Sequence, residues 1–128
     1  MANILTSAGK AIMTARMLGA TPSQVEPKFI SWGTGAGTAA IADVALFTES
    51  VEARTTGTGA QFTTSTITND AHQVSGTITA TAGRVITNAG VFDTSGLGTG
   101  NLYLHGDFAG VTLATGESIA FIFRNQLT

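Results

Sequence analysis

The chain predicts a mainly β fold: an antiparallel β-sandwich or jelly roll of seven to eight short strands preceded by an N-terminal helix. Three observations carry this. Several stretches alternate with period two, the pattern of a pleated strand with one buried face. Turn signals recur at intervals of about 8–12 residues, as in sandwiches. Hydrophobic residues make up 43% of the 128 residues and charged residues 11%, against roughly 25% charged in an average domain. That length suits one domain with a real core. So few charges predict a surface of Thr, Ser and Gly, part of it covered by other subunits.

The stretch VITNAGVFDTSGLGTGNLYLHGDF, residues 85–108, organises the rest. It reads as two strands joined by a Gly-rich loop. In the first, Val85, Thr87, Ala89 and Val91 oppose Ile86, Asn88, Gly90 and Phe92. In the second, Leu102, Leu104 and Phe108 share a side against Tyr103, His105 and Asp107, with His105 on the polar face. From the N-terminus, Ile4, Ala8, Ala11, Ile12, Ala15 and Leu18 recur at three- and four-residue spacing and predict a helix over 4–18. Asn3 would cap it and Gly19 stop it. Met13 and Met17 widen its apolar stripe, either to pack on its own domain or to dock on a partner. Thr21 to Pro27 reads as a linker, because Pro22 and Pro27 exclude a continuous helix. The expected organisation is therefore a helix and linker, a possible docking arm, over 1–26, and a sandwich over 27–128.

Lys28 to Trp32 reads as the first strand, with Trp32 as a core or interface anchor. Residues 39–50 are ambiguous, with Asp43 able to cap a short turn, and Val51 to Arg54 reads as strand or its approach. Thr56-Gly57-Thr58-Gly59 reads as a turn before a Thr-rich strand over 61–68. His72 to Ala80 is a clean strand whose Val74, Gly76, Ile78 and Ala80 share a face. The turn at Ala82-Gly83 predicts an antiparallel hairpin with the strand that follows. In the last strand, Glu117 to Arg124, both faces are apolar, which predicts a central or interface position.

No reaction centre is legible. Gly33-Thr34-Gly35-Ala36-Gly37-Thr38 lacks the last Gly of a dinucleotide fingerprint, and the one Gly-Lys pair, Gly9-Lys10, has Ile4 where a P-loop needs Gly. His72 and His105 belong to no metal-ligand motif and there is no Cys, so neither a zinc site nor any cofactor is expected. Asp93 and Asp107 are the least unsuitable carboxylate pair for a glycosidase, without an aromatic-lined groove beside them. No nucleophile elbow occurs. The net charge of −2 and six scattered basic residues exclude a nucleic-acid stripe. No apolar run approaches the ~20 residues of a membrane helix, and the N-terminus has no secretory pattern. The expectation is a structural module, not an enzyme.

Three stretches in order resemble a group of small tailed-phage virion proteins. Lys28 to Gly35 (KFISWGTG) resembles a "KYIGWGTG" segment. Asp43 to Glu49 (DVALFTE), followed by Arg54, resembles "D-x-AL-x-TE". Ile86 to Asp93, Leu102 to Phe108 and Val111 to Leu113 resemble "IT-x-AGLFDA … LL-x-x-x-F-x-PVTL". Gly110 stands where that pattern has Pro, and Thr38 to Ala42 also lacks one. The resemblance covers about three quarters of the chain. It implies a sandwich that oligomerises, as a trimer or else a dimer, and binds the major capsid protein on the outside of the head as a decoration or cement protein. A tail-fibre or baseplate adaptor or receptor binder is the alternative. It further implies synthesis in the host bacterial cytoplasm and residence in the virion. On that reading Ile12, Met13, Met17, Trp32 and Ile122 are the candidate interface residues.

Overall fold

A computed structural model of the chain describes residues 3–19, 26–64 and 66–127. In chain order its elements are β1 (Asn3–Leu5), α1 (Ser7–Met17), β2 (Phe29–Gly33), β3 (Thr55–Thr56), β4 (Thr58–Phe62), β5 (Ala71–Thr79), β6 (Arg84–Phe92), β7 (Leu102–Leu113) and β8 (Ser118–Gln126). Among the described residues the chain is mainly β with one short helix. Its strands form two antiparallel sheets, ordered β1-β7-β6-β2-β3 and β4-β5-β8. This is the sandwich that the alternation predicts. Most of the linker over 21–27 lies outside the described residues.

The hairpin expected over 85–108 is the spine of the larger sheet, β6 against β7. Its ladder is not regular. Tyr103 is an extra residue between the pairs Val91↔Leu104 and Phe92↔Leu102, and Phe108 to Gly110 together stand opposite Thr87. These bulges twist the strands. As a result Ile86, Ala89 and Val91 all reach one core, which strict alternation would not allow. Phe92 and Leu102 instead join Leu46 on the outer face, packed by Phe29. Both faces of this sheet are thus covered near β6, not one.

The main core lies between the sheets. Ile30, Trp32, Ile86, Ala89, Val91 and Leu104 from one meet Val74, Ile78, Phe121 and Phe123 from the other. Trp32 is fully buried, edge-on to Phe121 with ring centroids 6.3 Å apart. The chain changes sheets at Gly57. Thr55 and Thr56 pair with Ile30 and Phe29, whereas Thr58 to Phe62 pair with β5. A Cβ at Gly57 would come 2.7 Å from Val74 Cγ1 and 2.9 Å from the Lys28 carbonyl, so only Gly fits the crossing. The strand expected over 61–68 therefore begins three residues and ends six residues earlier, over 58–62, and the expected turn at 56–59 contains the crossing.

Three further expectations are corrected. The helix begins at Ser7, not Ile4, and its cap is Thr6, not Asn3. Thr6 Oγ1 accepts from Gly9 N at 3.0 Å and donates to the Leu102 carbonyl. The residues before it gain more as a strand, where Asn3 to Leu5 pair with Gly106 to Leu104. Gly19 does end the helix, at φ +69° with its N–H on the Arg16 carbonyl. β1 pairs in the larger sheet and Ile12 lies in the core, so the described residues 3–19 pack on the sandwich.

The hairpin expected between β5 and β6 does not form, because the two strands lie in different sheets. Ala80 instead exchanges hydrogen bonds with Glu117 and Gly116, which carries the β5 ladder towards the turn before β8. The buried faces of β5 and β6 meet across the core rather than side by side. Finally, β8 is an edge strand and not a central one. Its Phe121 and Phe123 face inward, and Ile122, on the opposite face, is 57% exposed.

Candidate interaction surfaces

The outer face of β2, β6 and β7 carries a layer of irregular chain, residues 34–50, held by backbone contacts and a few buried polar groups. Thr34 N and Gly35 N donate to the carbonyls of Thr48 and Phe47 at 3.0 and 2.9 Å. The alternating glycines at 33–37 serve this close approach, and the Phe47 ring lies where a Cβ on Gly37 would go. Asn88 clips Phe47 from below, accepting from its N–H at 3.1 Å and donating to its carbonyl at 3.0 Å. Asp107 accepts from Ala39 N at 2.9 Å. His105, expected on a polar face, is fully buried under this layer, between Asp43 and Asn88.

Arg54 ties the layer to the loop over 93–101. Its guanidinium makes two bonds to Glu49, at 2.8 and 3.0 Å, and others to the carbonyls of Thr94 and Thr99 at 2.9 and 3.0 Å. It lies 3.6 Å from the centre of the Phe92 ring. Burial alone would raise the Glu49 carboxyl's pKa, but bonds from Arg54 and from Gly98 N outweigh it, and the net shift is downward. Asp93 accepts from Asn101 N and Nδ2 at 2.6 and 2.9 Å. Asp93 and Asp107 each bind a backbone N–H of a neighbouring loop, which is a structural use of both carboxylates.

Glu52 is a second hub. It accepts from Trp32 Nε1 at 3.1 Å, Thr81 N at 3.2 Å, Thr81 Oγ1 at 2.9 Å and Arg84 Nε at 3.0 Å, and from Ser50 Oγ. Burial would raise its pKa. The bonds from Ser50, Trp32 and Arg84 outweigh that and hold the carboxyl well below the usual range. Among the described residues no group of three His, Cys, Asp or Glu is placed to hold a metal ion.

What remains is surface. Of the five candidate interface residues, Ile12 and Trp32 lie inside the chain's own core and offer no surface for a partner. Trp32, a core or interface anchor by its sequence, is a core anchor, and Ile12 is the inward side of its helix. Met13 is partly buried against the core, while Met17 is 83% exposed. Met13 and Met17 line an apolar hollow of about 430 Å³ with Pro27, His72, Tyr103 and Leu127. Ile122 lines a second hollow, about 260 Å³, between Phe108 and Val111 of β7 and Ile119 to Phe121 of β8. Sequence reading missed Val111 and Phe108 there. Their signal was the apolar continuation of β7 beyond the stretch that β1 covers, residues 104–106.

The outer face of the three-stranded sheet is nearly uncharged, as the composition predicted. Thr58, Ser75, Thr77, Thr79, Ser118 and Ala120 surround Ile122. Arg124 on that face is held over the Phe62 ring at 3.8 Å and bonded to Gln73.

His72 lines the first hollow, edge-on to Tyr103 with ring centroids 5.7 Å apart. Burial lowers its pKa from the ordinary 6.5, against an upward pull from Glu26. The folded state therefore binds fewer protons than the unfolded chain, and stability should fall as the pH drops below about 6.5. Thermal melts between pH 8 and 5 should show this limb, and His72→Phe should flatten it.

Comparison with protein-family models, with curated proteins and with solved structures finds no match.

Proposed function

We propose that this chain is a structural virion protein of a tailed bacteriophage. It self-associates into a small homo-oligomer, a trimer, and binds the major capsid protein on the outside of the assembled head. The observation that carries this reading is how the three family-like stretches lie together. Lys28 to Gly35 and the β6–β7 hairpin lie in one sheet, and Asp43 to Glu49 packs on its outer face, joined at Gly35–Phe47, Asn88–Phe47 and Asp43–His105. The exposed Met17 and Ile122, and the uncharged sheet face around Ile122, further suit a chain that spends its working life against neighbours.

The mechanism is mass action. A protein that binds only the assembled shell stabilises it by RT ln(1 + [L]/Kd), about 2.7 kcal/mol per site when its free concentration is 100 times Kd. A specific contact of this kind buries roughly 1,000 Å² or more.

Electron microscopy of purified virions tests the reading. Many copies at symmetry positions on the head are expected. A few copies at the tail would replace decoration with a fibre or baseplate adaptor, and absence from the particle would end both. Met17→Asp and Ile122→Arg alter exposed side chains and should leave the melting temperature within a few degrees. At least one of them is expected to lower oligomer or head occupancy tenfold or more, read by light scattering and by co-sedimentation with heads.

A further inference from the structure

The ring of His105 is held in a way that assigns its hydrogens. Its side chain has no exposed surface. Nδ1 lies 2.7 Å from Asp43 Oδ2, and Nε2 lies 3.1 Å from Asn88 Oδ1. The Asn88 amide is oriented independently by Phe47, whose N–H needs an acceptor and whose carbonyl needs a donor. Turning that amide over would set an NH₂ against an N–H and an oxygen against an oxygen. The atom facing Nε2 is therefore an acceptor. Asp43 Oδ2 also accepts from Ala40 N at 2.7 Å, so the atom facing Nδ1 is a carboxylate oxygen already in use as an acceptor.

A neutral imidazole has one N–H and one lone pair. Between two acceptors it would leave one lone pair facing another inside the protein, and an unmade buried hydrogen bond is costly. We propose that His105 carries hydrogens on both ring nitrogens, and that this imidazolium is a proton-dependent clasp fastening residues 39–48 to the sheet. The surroundings suit a cation. Asp43 and the Phe47 ring, 4.8 Å away, face it from the layer, and Asn88 and Gly90 from β6. Ile4 stands opposite on β1, and Asp107, two residues along β7, holds Ala39 in the same layer. Loss of the proton removes one of the two bonds and loosens the segment between Ala40 and Phe47. The inference rests on these bonds alone and stands whether or not the chain belongs to a virion.

The test is NMR on uniformly ¹⁵N-labelled protein, correlating the ring nitrogens with the ring C–H protons. At neutral pH both His105 nitrogens should resonate in the protonated range, with His72 as the second set of signals. Raising the pH until His105 loses a proton should lower the hydrogen-exchange protection of Phe47 tenfold or more. Protection is corrected for the intrinsic rise of exchange with pH, and Val74 and Phe123 in the other sheet should keep theirs. Asp43→Asn should produce a neutral His105 ring and the same loss at Phe47 already at neutral pH. A single protonated ring nitrogen at neutral pH would overturn the proposal. So would an unchanged Phe47 after deprotonation, or an Asp43→Asn protein whose His105 stays doubly protonated.

Discussion

Glu52→Ala is expected to cost about 3–5 kcal/mol, the cost of breaking a buried, hydrogen-bonded charge pair. The side chain is 3% exposed and bonds Trp32, Ser50, Thr81 and Arg84. Alanine leaves the Trp32 Nε1–H and the Thr81 N–H without their acceptor, and leaves Arg84 without its counter-charge. The loss falls at the corner where the chain passes from one sheet to the other, so it weakens both. Against a total stability of about 5–15 kcal/mol it removes from about a fifth to the whole, unfolding the domain at the upper end. Urea denaturation should show a lower midpoint, and thermal melting a fall on the order of 10 °C or more. Glu52→Gln keeps an acceptor oxygen and should lose less.

The same carboxylate sets the acid limit. Its folded pKa lies below the ordinary 4.5, so below that pH the unfolded chain binds more protons. The stability it contributes is complete above about 4.5 and is lost as the pH falls towards its folded value. Glu49, shifted the same way, adds to this limb. The His72 contribution begins to fall below about 6.5 and that of the two carboxylates only below about 4.5, so the acid limb should steepen below 4.5.

Gly33→Ala should have the second-largest effect, about 2–3 kcal/mol, the upper part of the range for overpacking. A Cβ there would lie 2.5 Å from the Phe47 carbonyl and 2.7 Å from Asn88 Nδ2. The carbonyl is backbone and cannot swing aside, so the segment around Phe47 must lift and its clip to Asn88 must lengthen. The side-chain amide signals of Asn88 should move in the NMR spectrum along with a lowered melting temperature. Gly83→Ala is the control. The nearest neighbour of its Cβ is the Leu113 carbonyl at 3.9 Å, and its stability should change by less than about 0.5 kcal/mol.

How much of this was legible follows from what a one-dimensional pattern encodes. Alternation reports which side of a strand is buried, and for β5 and for the pairing of β6 with β7 that was enough. It does not report the partner. β5 and β6 follow each other across a short turn and were read as a hairpin, yet their buried faces oppose each other in different sheets. Composition placed Thr in strands but could not locate the crossing, which rests on one glycine and its clearance from Val74. The layer over 34–50 has no period because it is neither helix nor strand, so its burial of His105 left no trace in the sequence. The outward Ile122 was legible because both faces of its strand are apolar, and only one of them can face the core. The inward Ile12 was mistaken for surface because a helix that packs on its own sheet and one that packs on a partner carry the same stripe.

The pairing of β1 with β7 has a consequence for synthesis. Asn3 to Leu5 leave the ribosome about a hundred residues before Leu104 to Gly106, their partners in the sheet. While translation runs, those early residues and the helix after them have no surface to rest on. They wait, accessible to chaperones and proteases, until residues 104–106 have emerged. Closing so long a loop is slow and comes late. Nascent chains arrested before residue 102 should therefore be cut by protease within residues 3–17, and folded chains that include β7 should not.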